Sequence, residues 1–444
     1  MSAQRVRPFT VIMMLFISML KSYTTLQAAE TPLQPTPVPV HEEPQTAPAP
    51  TALTLADCYR LALTQSETIA VQQERLKETE GRFLQALSGV LPRASFKLTE
   101  KRQDGSGNSA FTLKDIPERK FVLSQPLFSG FKEFAAMAGS RAEHRRRADE
   151  KVRAEQLLFI DVVDSFYLLR ERREDLQTLE TIRHALVERI DELQERERLG
   201  RTRPSEVASA EAQLRRVEAE LEDVRSEETT ARQLLEFLTG LDHVDAVRDP
   251  ENTIPVLDPN EETYLAKSAS RADVRATEEA WHVAQHEVTI ARAKFWPTVG
   301  VDGNYYTKRV GVTQDVKWDV QLQVDVPLFQ GGQVAGEVQE TASRARQAKL
   351  QFEQLQRRAS LDIRDAYVAA QSAIRRTEAL EKALQAAEKS YQLQVQDYRL
   401  NLVNNLDVLQ ALQALEDARR DVIQVHAQLK QRYWHLRVAT GDTL

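Results

Sequence analysis

One cysteine, Cys58, stands among 444 residues, so no disulfide can form within the chain even in an oxidising compartment. The "LADC" at residues 55–58 has the outward form of a lipoprotein processing box. It lies well past any apolar run and has an acid before the cysteine, so a packed helix thiol is expected instead. An apolar run long enough to span a bilayer as a helix is also missing. "FTVIMMLFISML", from Phe9 to Leu20, is too short. With Arg5 and Arg7 before it and "LQAAE" after it, this run suits the core of a secretory signal over residues 1–29, cleaved near Ala28 or Ala29. There is no basic excess: without Arg5, Arg7 and Lys21, 56 basic residues face 66 acidic ones, a net charge of −10. That balance excludes nucleic acid as an expected partner. Between residues 337 and 440 there is neither glycine nor proline, and Ala, Glu, Gln, Arg and Leu dominate. This is the composition of long or coiled helices.

A catalytic constellation is lacking as well. His282 and His286 lie four apart in "HVAQH", a spacing that can bind metal, but no third ligand accompanies them and the glutamate of the zinc proteases is absent. Asp161 and Asp164, echoed by Asp362 and Asp365, are three apart and are expected to make interhelical polar contacts or a solvated edge. The Arg145–Arg147 and Arg170–Arg173 clusters are interspersed with acids, as on a helix surface. Nothing composes a nucleophile, base and orienter, so neither an enzyme, a metal site nor a cofactor is expected.

What the chain does contain, it contains twice. Residues 30–50 hold seven of the 17 prolines and read as an extended linker. Beyond them, "LSQPLFSGF" at 123–131 returns as "VDVPLFQGG" at 324–332, pairing Pro126 and Gly130 with Pro327 and Gly331. Asp161, Asp164, Leu199 and Val207 return as Asp362, Asp365, Leu400 and Val408, always 201 residues on, whereas Pro92 and Pro297 are 205 apart. The difference of four belongs to a surface loop between them. The expected division is a first repeat over 51–257 and a second over 258–444, each a helix, a β-hairpin and a helical hairpin.

In "VKWDVQLQVDV", Val316, Trp318, Val320, Leu322, Val324 and Val326 share one face and Lys317, Asp319, Gln321, Gln323 and Asp325 the other, which is a two-faced strand. Residues 298–306, 94–99 and 120–124 supply the other strands, one hairpin per copy. The period then becomes helical. Ala345, Ala348, Phe352, Leu355, Ala359, Ile363, Ala366, Ala370, Ala373, Thr377, Leu380, Leu384, Ala387 and Tyr391 recur three and four apart, as in a coiled-coil seam. Gly200 and Pro204 interrupt the first copy's helix, and "RLNLVNNLDV" at 399–408 is read as the matching reversal, with Asn404 or Asn405 capping the returning helix. The outgoing arm, roughly 337–398, reaches about 90 Å.

Four strands are too few to close a barrel. For an exported chain, several copies pooling strands would leave no edge facing lipid. Two would give a barrel filled by its own side chains, and three a passage. The lipid-facing residues would then be Val316, Trp318, Val320, Leu322, Val324 and Val326, and the lumen-facing ones Lys317, Asp319, Gln321, Gln323 and Asp325. Phe128, Phe295, Trp296 and Phe329 suit an interfacial aromatic girdle. Alternation alone also fits a water-soluble sandwich whose apolar face packs on helices. A soluble periplasmic coiled-coil scaffold or adaptor is the alternative function, and an exported helical hydrolase a more distant one.

The order of signal, hairpin, Pro-Leu-Phe-x-Gly, long helix, "RLG" tip, returning helix and terminal "LTG", repeated with "YRLNLVNNLDVLQALQAL", resembles the TolC-type outer-membrane efflux proteins, the outer membrane factor family, over about residues 53–442. The resemblance implies a mainly helical chain with a membrane β-barrel portion: a homotrimer whose four strands per protomer form a twelve-stranded barrel in outer-membrane lipid, continuous with a periplasmic tunnel of twelve helices. It further implies a channel of a tripartite efflux or type I secretion system, opened by a periplasmic adaptor and an inner-membrane transporter. It places Asp407 at the pore constriction and Glu206 at the equivalent place in the first copy, while Gln410 and Val403 stand where relatives can carry a second acid and a basic residue. The plainer reading of Glu206 and Asp407 is that both sit in the first turn of a helix, where the dipole favours them.

Overall fold

Thr54 opens the described chain with a capping box: it accepts from the Asp57 amide, and the Asp57 carboxylate accepts from the Thr54 amide. The computed structural model describes residues 52–250, 255–400 and 402–444. The expected signal over 1–29 and linker over 30–50 lie outside them. Helix α1, Leu55–Gln65, ends at Ser66, whose hydroxyl caps α2, Glu67–Leu87. Cys58 is fully buried on α1, and burial pushes its thiol up to about 12, the inert packed thiol expected from the sequence.

Four strands follow the alternating segments: β1 Arg93–Arg102, β2 Asp115–Ser129, β3 Thr298–Lys308 and β4 Trp318–Asp325. They form one antiparallel sheet in the order β1-β2-β3-β4, so the two hairpins join through β2 and β3. Two details differ from the sequence reading. Val316 and Lys317 precede β4, because the chain is still turning at Val316, whose amide bonds the Thr313 carbonyl, and Val326 follows the strand's other end. Pro126 lies inside β2 and not in a turn. The ladder shifts between Pro126 and Phe128, and this bulge is where a residue without an N–H is tolerated. In the second copy Pro327 and Gly331 do fall in the connection after β4.

The turn out of β2 therefore centres on Gly130, at φ 67°. A Cβ there would stand 2.6 Å from the Ala293 carbonyl oxygen and 2.9 Å from the Trp296 side chain. Gly130→Ala is expected to cost about 2 kcal/mol or more, read from the urea midpoint in detergent.

Helices α3, Lys132–Arg198, and α7, Gln333–Arg399, each hold 67 residues and run about 100 Å. The returning helices are α4, Pro204–Thr239, and α8, Asn405–Ala439. The starts of α3 and α4 recur in α7 and α8 at an offset of 201, while those of α2 and β1 recur in α6 (Ala272–Ala293) and β3 at 205. The short α5, Glu261–Leu265, precedes α6. Every seam position from Ala345 to Tyr391 is buried or half-buried.

Two cores result. One fills the distal half of the α3/α4 hairpin with Leu179, Leu186, Leu193, Leu214 and Leu221, joined by Tyr398, Val408 and Leu412 of the second hairpin. The other lies near the middle of α3, where Phe159, Phe166 and Leu169 pack on Cys58, Leu235 and Trp434. Among the described residues no helix is long and apolar enough to cross a membrane.

Candidate functional site

Three places collect functional side chains: the helical tips, a charged layer between the hairpins, and the two-faced sheet.

At the first tip, α3 stops at Leu199 and Gly200, the Arg201 amide returns to the Arg196 carbonyl at 2.8 Å, and Pro204 starts α4 at a position where its missing N–H costs nothing. At the second, the Leu402 amide bonds the Asp397 carbonyl at 2.9 Å, 201 residues on. Asn404 is the cap of α8: its side chain accepts from the Asp407 amide and the Asp407 carboxylate accepts from the Asn404 amide, both at 3.1 Å. Asn405 has a different task. It is 1% exposed, accepts from Arg189 Nε at 3.0 Å and donates to the Glu206 carbonyl at 3.4 Å. The Glu206 carboxylate accepts from Thr202 Oγ1 at 2.9 Å. Both acids thus sit in first helical turns, Asp407 as half of a capping box.

Sequence reasoning missed the neighbour of Asn405. Tyr398, buried near the end of α7, has the Arg189 guanidinium 3.9 Å and the Arg196 guanidinium 4.6 Å from its ring centre. These contacts tie α3 of the first hairpin to the end of α7 and, through Asn405, the start of α8. The available signal was a break in the duplication, since the position 201 residues before Tyr398 is Glu197.

Farther from the tip, Arg420 of α8 donates to both carboxylate oxygens of Asp175 on α3, at 2.7 and 3.1 Å, and to Glu220 on α4. One turn earlier on α8, Glu416 is 4% exposed. Burial, and then the negative charge of Glu220, pushes its carboxyl up to about 7. The bonds to Asp175 and Glu220 hold Arg420 charged against the opposing effect of burial.

On the sheet, Trp318, Val320, Leu322 and Val324 are each more than half exposed, and Phe96, Leu98 and Phe121 share their face. Among the described residues no helix covers it, as the packing of a soluble sandwich would require. On the opposite face Asp319 accepts from Asn304 and from the Tyr306 hydroxyl, both at 2.8 Å, and Lys120 pairs with Glu118 at 3.0 Å. Where strands meet helices, Phe128 makes edge contacts with Phe131 and Trp296, and Phe131 leans on Phe134. Phe295, Trp296 and Phe329 are exposed there.

The remaining candidates have structural neighbours. His282 stacks on Trp281, and Asp164 takes a bond from His435 at 3.0 Å. Asp362 pairs with Arg271 and Arg358, and Arg145 with Glu279. Among the described residues no cluster of His, Cys, Asp and Glu is arranged to hold a metal ion.

Residues 266–442 match the family of outer membrane efflux proteins. The chain is 23% identical over 393 residues to Nodulation protein T of Rhizobium leguminosarum bv. viciae, covering 84% of this chain and 79% of that one. It is also 23% identical over 415 residues to the alkaline protease secretion protein AprF of Pseudomonas aeruginosa, covering 88% and 85%. Its fold is similar to that of the outer membrane protein VceC of Vibrio cholerae, with a TM-score of 0.76 and 22% identity over 87% of this chain and 96% of that one. The MtrE outer membrane channel of Neisseria gonorrhoeae gives a TM-score of 0.72 and 17% identity over 91% and 98%.

Proposed function

We propose that this chain, an outer membrane efflux protein by its match over residues 266–442, is the passive exit duct of a tripartite efflux or type I secretion system. The observation that carries the reading is a four-stranded sheet with an uncovered apolar face and two open edges, set on helices about 100 Å long. Such a sheet is stable in hydrocarbon only when its edges are paired, and among the described residues of one chain no further strand pairs them. A homotrimer supplies twelve strands around water, while the hairpins of the two repeats, 51–257 and 258–444, build the periplasmic tunnel.

In that assembly Val316, Trp318, Val320, Leu322, Val324 and Val326 meet lipid. Lys317, Asp319, Gln321, Gln323 and Asp325 line the lumen, and Phe128, Trp296 and Phe329 sit at headgroup depth. The tips at Gly200, Pro204, Asn404 and Asn405 face a periplasmic adaptor, and an inner-membrane transporter supplies the energy. The duct performs no chemistry. Asp407 and Glu206, repeated round a threefold axis, ring the constriction with carboxylates that attract cations and repel one another.

The reading is tested by fractionation: the chain should sediment with outer membrane and need detergent for release. Recovery in the osmotic-shock fluid would replace it with a soluble scaffold. For the constriction, Asp407→Asn removes the charge and keeps an acceptor for the α8 cap. In planar bilayers it is expected to raise single-channel conductance or weaken block by multivalent cations, and unchanged currents would remove Asp407 from that role.

A further inference from the structure

The open edges of the sheet differ in sign. On the polar face β1 carries Arg93, Lys97 and Lys101, while β4 carries Asp319 and Asp325. Lys97 and Asp325 are both exposed, and neither has an ion-pair partner among the described residues.

The duplication says how these edges fit. Adding 205 to a β1 residue and 201 to its β2 partner turns Ala94↔Leu123 into Val299↔Val324, and Phe96↔Phe121 into Val301↔Leu322; both are pairs of the second hairpin. One hairpin therefore reproduces the register of the other. The same offsets act on the junction between the hairpins. Adding 201 to a β2 residue and subtracting 205 from its β3 partner gives positions on β4 and β1, which no single chain brings together. Ser124↔Asp302 becomes Asp325↔Lys97, Leu123↔Gly303 becomes Val324↔Leu98, and Val122↔Asn304 becomes Gln323↔Thr99.

We propose that β4 of one subunit pairs antiparallel with β1 of a second copy of this chain in that register, Asp325 opposite Lys97 on the polar face and Val324 opposite Leu98 on the apolar one. The inference rests on the duct reading and specifies its seam. A slip of one residue would turn the apolar side chains to the polar face. A slip of two keeps the faces and leaves Asp325 opposite Ser95 or Thr99, so the charge pair selects between the registers that the faces allow. The contact is head-to-tail, and a ring closes it.

Cysteine pairs in the full-length chain, oxidised mildly after detergent extraction, read the register directly. Val324→Cys with Leu98→Cys, and Gln323→Cys with Thr99→Cys, are expected to give covalent trimers that reductant dissolves. The shifted combinations, Val324→Cys with Phe96→Cys or with Glu100→Cys, should lose that product, since diagonal neighbours lie about 7–8 Å apart and disulfides need closer approach. The parent chain, with Cys58 fully buried, is the control. Covalent trimers from the shifted pairs, or none from any pair in a chain that is trimeric by light scattering, would overturn the register. A monomer in detergent would overturn the duct reading itself. Lys97→Asp and Asp325→Lys should each lower the temperature at which the trimer dissociates in SDS, and together restore it. A double variant no better than either single one would remove the ion pair.

Discussion

Arg420→Met is expected to destabilise the chain by about 3 kcal/mol, seen as a lower urea midpoint with little change in slope. The reason is the partner left behind. Asp175 keeps 5% of its side chain exposed and loses both of its bonds to Arg420, with Arg172 at 4.0 Å as its remaining cation. A buried carboxylate left with a single cation at 4.0 Å is poorly compensated for the water it has lost. Arg420 also touches Glu220, so its removal breaks the charged link from α8 to both helices of the first hairpin. If the midpoint is unchanged, the layer is a solvated surface feature and the burial argument fails. In a duct, the same variant should loosen one hairpin against the other and raise the frequency of opening in planar bilayers.

Glu416→Gln is expected to act in the opposite direction, and only at higher pH. The folded chain holds the Glu416 carboxyl at about 7, against an ordinary value of 4.5. Between those values the folded state binds the proton that the unfolded state has released, so stability falls as pH rises through this window and is unaffected below it. The rise corresponds to about 3 kcal/mol at pH 8. Removing the charge should recover most of that at pH 8 and almost nothing at pH 4. Thermal melts of parent and variant across this range check the sign. Parallel curves would show that Glu416 is ionised in both states. Because Glu416 and Arg420 share Glu220 as a neighbour, the double variant is not expected to be additive.

These residues also mark the limit of what periodicity reveals. The helical seam from Ala345 to Tyr391 was legible because an amphipathic helix must place apolar residues every three or four positions, whatever it packs against. The strands were legible because a sheet with unlike faces alternates. Asp175, Glu416 and Arg420 carry no such mark. In the sequence they are ordinary acids and bases on helices rich in both, and which of them is buried depends on where the second hairpin crosses the first. Tyr398 between its two arginines was hidden for the same reason, although its mismatch with Glu197 was visible. Pro126 misled in another way, since a bulge lets β2 run past a residue that would end most strands.

The sequence by itself determined the duplication with its offsets of 201 and 205, the long helices, the reversal points and the two-faced strands, because each follows from local spacing and turn chemistry. Only the tertiary structure decided that the hairpins join edge to edge through β2 and β3, that Asn404 caps α8 while Asn405 braces Arg189, and that Arg420 links three helices. Apart from the local Asn404 cap, these contacts join residues far apart in the chain, from 169 positions for Ser129 and Thr298 to 245 for Asp175 and Arg420. Their energies depend on burial and distance, which come into being when the helices pack.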